Sequence, residues 1–395
     1  MYHLNLAPAD PILGLNDAFN ADPRSDKINL GVGVYKDAMG RTPIMTAVKA
    51  AEGILLNDET TKSYLGITGN AALPALAQAL LLGNDHPLLG NPRVKTAQAP
   101  GGTGALRVAA DFIAKANPGA TVWVSNPTWA NHNAIFEAAG LTTAVYRYYD
   151  ASTQSLDEAG LLEDLQGVAA NDVVVLHGCC HNPSGVDPSA QTWAKIADIA
   201  ANKGWMPLVD FAYQGFGAGI DADRQGLLEL LKKDLSLLVA ASFSKNFGLY
   251  NERIGALTLI DQDAATAEAA FSHIKLSIRA NYSNPPAHGG AIVATVLGSS
   301  ELRNQWETEL TQMRERIADM RTGLTQGLAA RGVDRDFSFI QSQNGMFSFA
   351  GISPEQVDRL RSEFGVYAVR SGRINVAAIT PTNLDPLCDA IAAVL

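Results

Sequence analysis

The stretch SLLVAASFSKNFGLYNERIGALTLI (residues 236–260) sets two apolar runs, 236–243 and 254–260, around a polar insert. That insert carries Ser244, Lys245 and Arg253. Short runs rich in Val, Leu and Ile, bounded by glycine and polar residues, predict buried strands. A lysine leaving such a strand is partly desolvated, which disfavours its charged form and makes the amine a nucleophile toward a carbonyl. A single lysine in that position is more often one that snorkels out of the sheet. Its neighbours decide the matter.

Outward from this stretch the same texture recurs. Candidate strands are TVWVS (121–125), TAVYRYY (143–149), DVVVLHG (172–178) and MPLVD (206–210). Between them lie helical patterns such as ALRVAADFIAKA (105–116) and SAQTWAKIADIAANKG (189–204), the latter stopped by Gly204. Strands alternating with helices predict an α/β fold with a mostly parallel central sheet. In such sheets ligands bind beyond the carboxyl ends of the strands. Asn182, Asp210, Tyr213, Ser242 and Lys245 follow or close those ends, and Arg253 directly precedes the run 254–260. After residue 299 the texture changes. Residues 301–332 read as one long amphipathic helix with a solvated charged face. Two short strands with a turn at Gln343-Asn344-Gly345 are expected next, then helix, strand and helix, making a separate α+β unit.

The 395 residues suit a large domain with a smaller one attached, and 47% apolar against 18% charged residues is enough for packed interiors. A formal charge of −10 opposes nucleic acid and anionic lipid, so basic groups must act locally. Three cysteines form no disulfide framework and point to a reducing compartment. The N-terminus has no basic start followed by an apolar run, and no stretch approaches the roughly 20 apolar residues of a membrane span. A cytoplasmic protein is expected. Cys179-Cys180-His181 suggests a metal only superficially, since adjacent cysteines without a second pair make a poor ligand set, and no metal is expected. His177 and His273 read as structural.

The run Ser242-Phe243-Ser244-Lys245-Asn246-Phe247-Gly248-Leu249-Tyr250-Asn251-Glu252-Arg253 resembles the lysine signature of the aspartate and aromatic aminotransferase family. So do Gly178-Cys179-Cys180-His181-Asn182-Pro183, Asp210-Phe211-Ala212-Tyr213-Gln214-Gly215 and Arg279-Ala280-Asn281-Tyr282-Ser283-Asn284-Pro285-Pro286, and the likeness extends in register from Pro8-Ala9-Asp10-Pro11 to the final helix. The resemblance implies a fold-type-I pyridoxal-phosphate transferase. Its large cofactor domain would span residues 43–312, and its smaller domain would combine 1–42 with 313–395.

It implies roles as well. Lys245 matches the residue that holds the cofactor aldehyde and shuttles a proton. Asp210 matches the carboxylate that keeps the pyridine nitrogen protonated, with His132 behind it. Tyr213 and Asn182 match the pair at the ring hydroxyl, and Trp129 the aromatic stacked on the ring. Gly101, Gly102 and Thr103 at a helix start, with Ser242, Ser244 and Arg253, match the phosphate site, which Tyr64 of a partner subunit also reaches. Arg373 matches the clamp on the substrate α-carboxylate, beside Gly33 and Asn182. Arg279 and Asn284 match residues that serve the neighbouring subunit, Arg279 taking the side-chain carboxylate. The resemblance therefore implies a homodimer with shared active sites, acting on amino acids and keto acids by a ping-pong route.

Val34, Lys36, Thr42, Thr103 and Asn284 are the types found in bacterial aspartate-selective relatives. Ser63 and Arg370 depart from them, and an aromatic-amino-acid aminotransferase with dual dicarboxylate activity is the alternative.

Overall fold

The computed structural model describes residues 13–395, so Pro8-Ala9-Asp10-Pro11 lies outside the described residues. The chain divides into two compact units. One comprises Pro43–Asn182 and Val186–Arg314; the other comprises the segment ending at Thr42, Pro183–Gly185 and Glu315–Leu395.

The first unit is built on a seven-stranded sheet. Its strands are β1 (Val94–Pro100), β2 (Thr121–Asn126), β3 (Thr142–Arg147), β4 (Val173–His177), β5 (Met206–Phe211), β6 (Leu237–Ser242) and β7 (Ile254–Ile260). They lie in the order β1-β7-β6-β5-β4-β2-β3. Every pairing is parallel except the two made by β7, which runs against both β6 and β1. The short link from β6 to β7 explains the reversal, because a parallel return needs a crossover of a dozen residues or more, usually helical. The reversal starts β7 at the carboxyl edge of its neighbours, and so delivers Arg253 there. Register completes the edge, with His177 opposite Asp210, Ser242 opposite Gly255 and Pro100 opposite Ile254. Leu208, Leu238, Ala240 and Val122 are fully buried against Leu106, Val108 and Ala109 of the helix Gly101–Ala116. Burying each leucine or valine contributes about 1.5–3 kcal/mol.

Three expectations change. β1 has no apolar run and was not among the candidate strands. Its buried Thr96 and Gln98 are satisfied instead by polar partners, Thr96 Oγ1 lying 2.9 Å from Thr258 Oγ1 and Gln98 Nε2 donating to Pro286 O at 2.7 Å. The helix expected from 105 begins at Gly101, because glycines hide helical periodicity. TAVYRYY breaks after Arg147, and Tyr149–Asp150 pairs separately with Ser155–Leu156.

The second unit holds two small two-stranded sheets. Ile28–Asn29 runs parallel to Val366–Tyr367, and Phe347–Phe349 runs antiparallel to Arg373–Asn375. The hairpin expected around Gln343-Asn344-Gly345 is replaced by a short helix, Phe339–Ser342, leading into Phe347–Phe349. The strand pairs with Arg373–Asn375, far along the chain, which local pattern does not reveal. The helix Pro354–Phe364 is delimited as its sequence dictates, by a Ser353/Gln356 capping box and by Gly365 in the left-handed region. The long amphipathic helix runs Ser300–Ala330. No helix among the described residues is long and apolar enough to cross a membrane.

Candidate active site

Lys245 sits in a turn anchored on every side. Gly248 N donates to Lys245 O at 3.0 Å, and Asn246 Nδ2 donates to Gln214 O at 3.2 Å. Trp306 Nε1 donates to Asn246 O at 2.6 Å while its ring stacks on Phe247 at 4.5 Å. The backbone carrying the amine is thus fixed by buried contacts, and Lys245 Nζ lies 4.9 Å from the centre of the Tyr213 ring. The Tyr213 hydroxyl accepts from Asn182 Nδ2 at 3.4 Å.

Asp210 closes β5 and is 6% exposed. Burial alone would raise its pKa. The hydrogen bond from His132 Nε2 at 2.9 Å, with the nearby positive fields that include Lys245, outweighs burial and holds the carboxyl below its usual range. Behind it lies a layer that sequence reading passed over. Thr128 Oγ1 is 2.7 Å from His132 Nδ1 and 3.3 Å from His177 Nε2, and the His177 ring lies 4.3 Å from that of His181. His181 Nε2 is 2.9 Å from Ser125 Oγ, and its ring stacks on Tyr148 at 3.9 Å. Burial pushes His177 down to about 3 and His181 well below its normal value, so both are neutral at physiological pH. His132 Nε2 donates to the Asp210 carboxylate, and Thr128 Oγ1 bridges His132 Nδ1 and His177 Nε2. Trp129 packs edge-on to His132, with ring centres 5.3 Å apart.

Next along the edge is an anion cradle. The helix Gly101–Ala116 begins with no side-chain cap, which leaves its first N–H groups for a ligand. Gly101 has φ +73°, and a Cβ there would meet Arg253 Nη2 at 2.6 Å; one on Gly102 would meet Ser242 Cβ at 3.1 Å. Arg253, itself at φ +53°, places Nη1 3.4 Å from Ser244 Oγ and 3.0 Å from Tyr250 O. Thr103 lies in the same first turn. Backbone N–H groups, two buried serines and a guanidinium converge where a Cβ would intrude. That donor set suits a phosphate.

Tyr64, Arg279 and Asn284 form a different, outward-facing group of the same unit. Tyr64 is 94% exposed, Arg279 Nη1 donates to Ser283 Oγ, and Asn284 Nδ2 donates to Leu65 O at 3.2 Å, tying the two loops together. In the other unit, Arg373 is buried, donates from Nη2 to Gly31 O at 2.7 Å and sits 4.2 Å over the Phe347 ring. Gly33 belongs to that group, since a Cβ on it would meet Phe347 Cζ at 2.7 Å. Asn375 Nδ2 fixes the segment by donating to Val32 O and Val34 O. The two departures have local partners. Arg370 is exposed and pairs with Asp358 at 3.2 Å, and Ser63 bonds Thr61 on the surface.

The sequence profile of the family described as "Aminotransferase class I and II" matches residues 25–391. This chain is a class I and II aminotransferase. It is 57% identical over 393 residues to an aspartate aminotransferase of Salmonella typhi and 56% identical over 393 residues to that of Escherichia coli (strain K12). Each alignment covers 100% of this chain and 99% of the relative. Among solved structures, an aromatic-amino-acid aminotransferase from Burkholderia pseudomallei, covalently bound to pyridoxal phosphate, superposes with a TM-score of 0.97. It is 51% identical, over 99% of this chain and 98% of that one. In this aminotransferase, Thr128 could have been picked out from its place four residues before His132, a helical neighbour spacing. His177 and His181 carried no such signal. Only the sheet register and the following turn bring them behind Asp210.

Proposed function

We propose that this aminotransferase is a pyridoxal-phosphate-dependent aspartate transaminase that exchanges amino and keto groups between aspartate or glutamate and oxaloacetate or 2-oxoglutarate. The observation that carries the reading is the convergence of Lys245, the His132-backed Asp210 and the Gly101–Arg253 cradle on one sheet edge. The cradle fits a phosphate, a buried carboxylate fits a protonated ring nitrogen, and an amine beside an aromatic fits an aldehyde. When bound, the cofactor supplies an electron sink for the bond being broken at Cα. Lys245 Nζ would hold the aldehyde and would carry the proton at the substrate Cα. Asp210 would keep a cationic ring nitrogen paired, and His132 keeps that carboxylate ionised and oriented. Tyr213 and Asn182 would bond the ring hydroxyl, and Trp129 would pack on the ring. Arg373, with Gly33, would take the α-carboxylate.

Arg279 takes the side-chain carboxylate of a substrate bound by the neighbouring subunit, where Tyr64 and Asn284 also act, in a cytoplasmic homodimer. Support for that part is the exposure of Tyr64 together with the apolar Ile44, Ile54, Leu56 and Leu276. The same reading takes 43–312 as the cofactor domain, and 1–42 with 313–395 as the smaller one.

A second reading, preference for aromatic amino acids, is favoured by the name of the 51%-identical solved relative. Initial rates with aspartate, glutamate, tyrosine and phenylalanine separate the two, and higher kcat/KM for the aromatics would overturn the first. Arg279→Leu sharpens the test. Hydrogen bonds to charged groups are each worth about 1.5–3 kcal/mol, so losing a bidentate pair is expected to lower aspartate kcat/KM by about 10³-fold. The phenylalanine value should change less than about tenfold. Equal losses would remove Arg279 from selectivity.

Gly101→Ala tests the cradle. A left-handed alanine costs about 1–2 kcal/mol, and its Cβ displaces Arg253. Cofactor affinity, measured by dialysis and absorbance, is expected to fall at least tenfold. An unchanged affinity would place the phosphate elsewhere.

A further inference from the structure

Behind the Tyr213 strand end lies a cluster of ligating atoms for which the transamination has no use. The sulfurs of Cys179 and Cys180 and a carboxylate oxygen of Asp223 all lie within 4.8 Å of one another, and all three residues are buried. The cysteine pair alone made a poor ligand set. The fold adds a third donor, from the short helix Ile220–Asp223. We propose that Cys179, Cys180 and Asp223 form a binding site for one soft divalent cation of the zinc or cadmium class.

The argument begins with spacing. A tetrahedral ion with sulfur ligands at about 2.3 Å keeps its donors about 3.8 Å apart, so the observed separation closes with side-chain adjustments of an ångström or less. The donors are also held in place. Asp223 accepts from Gly215 N at 2.7 Å and Gly217 N at 3.0 Å on Oδ2 and from Ala218 N at 2.7 Å on Oδ1, which leaves one lone-pair position on Oδ1 and fixes the plane of the group. On the cysteine side, Asp187 accepts from Cys180 N and His181 N, both at 2.9 Å. A fourth donor is at hand, since the carbonyl oxygen of Tyr213 lies 3.9 Å from Cys180 Sγ.

Two sulfurs and two oxygens select against magnesium and calcium, which demand all-oxygen shells, and favour thiophilic ions. On binding, both S–H bonds break, two metal–sulfur bonds form, and the two protons pass to solvent.

Tag-free holoenzyme titrated with Cd²⁺ tests the site directly. One cadmium per chain should survive desalting, with an ultraviolet cadmium–thiolate charge-transfer band. Cys179→Ser and Cys180→Ser should each weaken uptake at least tenfold, with Cys179→Ala and Cys180→Ala as substitutes should a serine variant fail to fold. Cys388→Ala, in the other unit, should leave both signals unchanged. Mg²⁺ should neither bind nor compete. No charge-transfer band, a band unaffected by the changes at 179 and 180, or equal competition by Mg²⁺ would each overturn the proposal. The metal readouts do not depend on the substrate reading. Cadmium uptake with normal aspartate preference, or the reverse, separates the two.

Discussion

Lys245→Ala is expected to lower steady-state turnover with aspartate and 2-oxoglutarate by at least about 10⁴-fold, measured with saturating cofactor. A positioned acid–base group alone contributes about 10²–10⁴-fold, and the same nitrogen also captures the aldehyde. No other lysine is among the residues that converge on this edge. The buried anchoring of Asn246 and Phe247 also means that truncating Lys245 leaves the turn intact, so folding should survive. Lys245→Arg separates charge from chemistry. A guanidinium keeps the positive charge but cannot give up its proton, so that variant should fail as badly. Near wild-type turnover in either variant would refute the assignment.

Asp210→Ala is the second large effect. Removing one partner of a buried charged pair costs about 3–5 kcal/mol, which corresponds to a loss of roughly 10²–10⁴ in kcat/KM. Asp210→Glu keeps the charge and should lose less. The ionisation gives a pH signature. Burial would raise the Asp210 pKa, yet the hydrogen bond from His132 and the nearby charge of Lys245 bring the net below the ordinary 3.8. A carboxyl lowered on folding stabilises above its unfolded pKa, and that contribution disappears as pH falls through the folded value. Asp210 thus remains a carboxylate from neutral pH to below 4, and any loss of activity between pH 5 and 7 should persist unchanged in Asp210→Glu. An acid limb that shifts upward by a unit or more in that variant would show that Asp210 itself titrates there.

Reading the sequence found much of this because the chemistry sits at the ends of apolar strands. Lys245, Asp210 and Arg253 each border a run whose composition leaves little choice but a buried strand. What remained hidden was non-local. β1 is polar by composition and becomes a buried strand only because Thr258, Gln78, Asn70 and Pro286 complete its hydrogen bonds. The reversal of β7 follows from a short connection rather than from residue pattern. His177 looked structural, and His181 carried no signal of its own, because a buried histidine has no period. Their place in the layer behind Asp210 comes from strand register and the turn that follows. Arg370 could not be placed from sequence, since only the helix carrying Asp358 turns it toward the surface.

The most direct test of the central claim is borohydride reduction of the purified protein, followed by peptide mass mapping. The account predicts a stable phosphopyridoxyl mass on Lys245 and on no other lysine. A label on a different residue, or an unmodified Lys245 in protein that retains full cofactor, would contradict it.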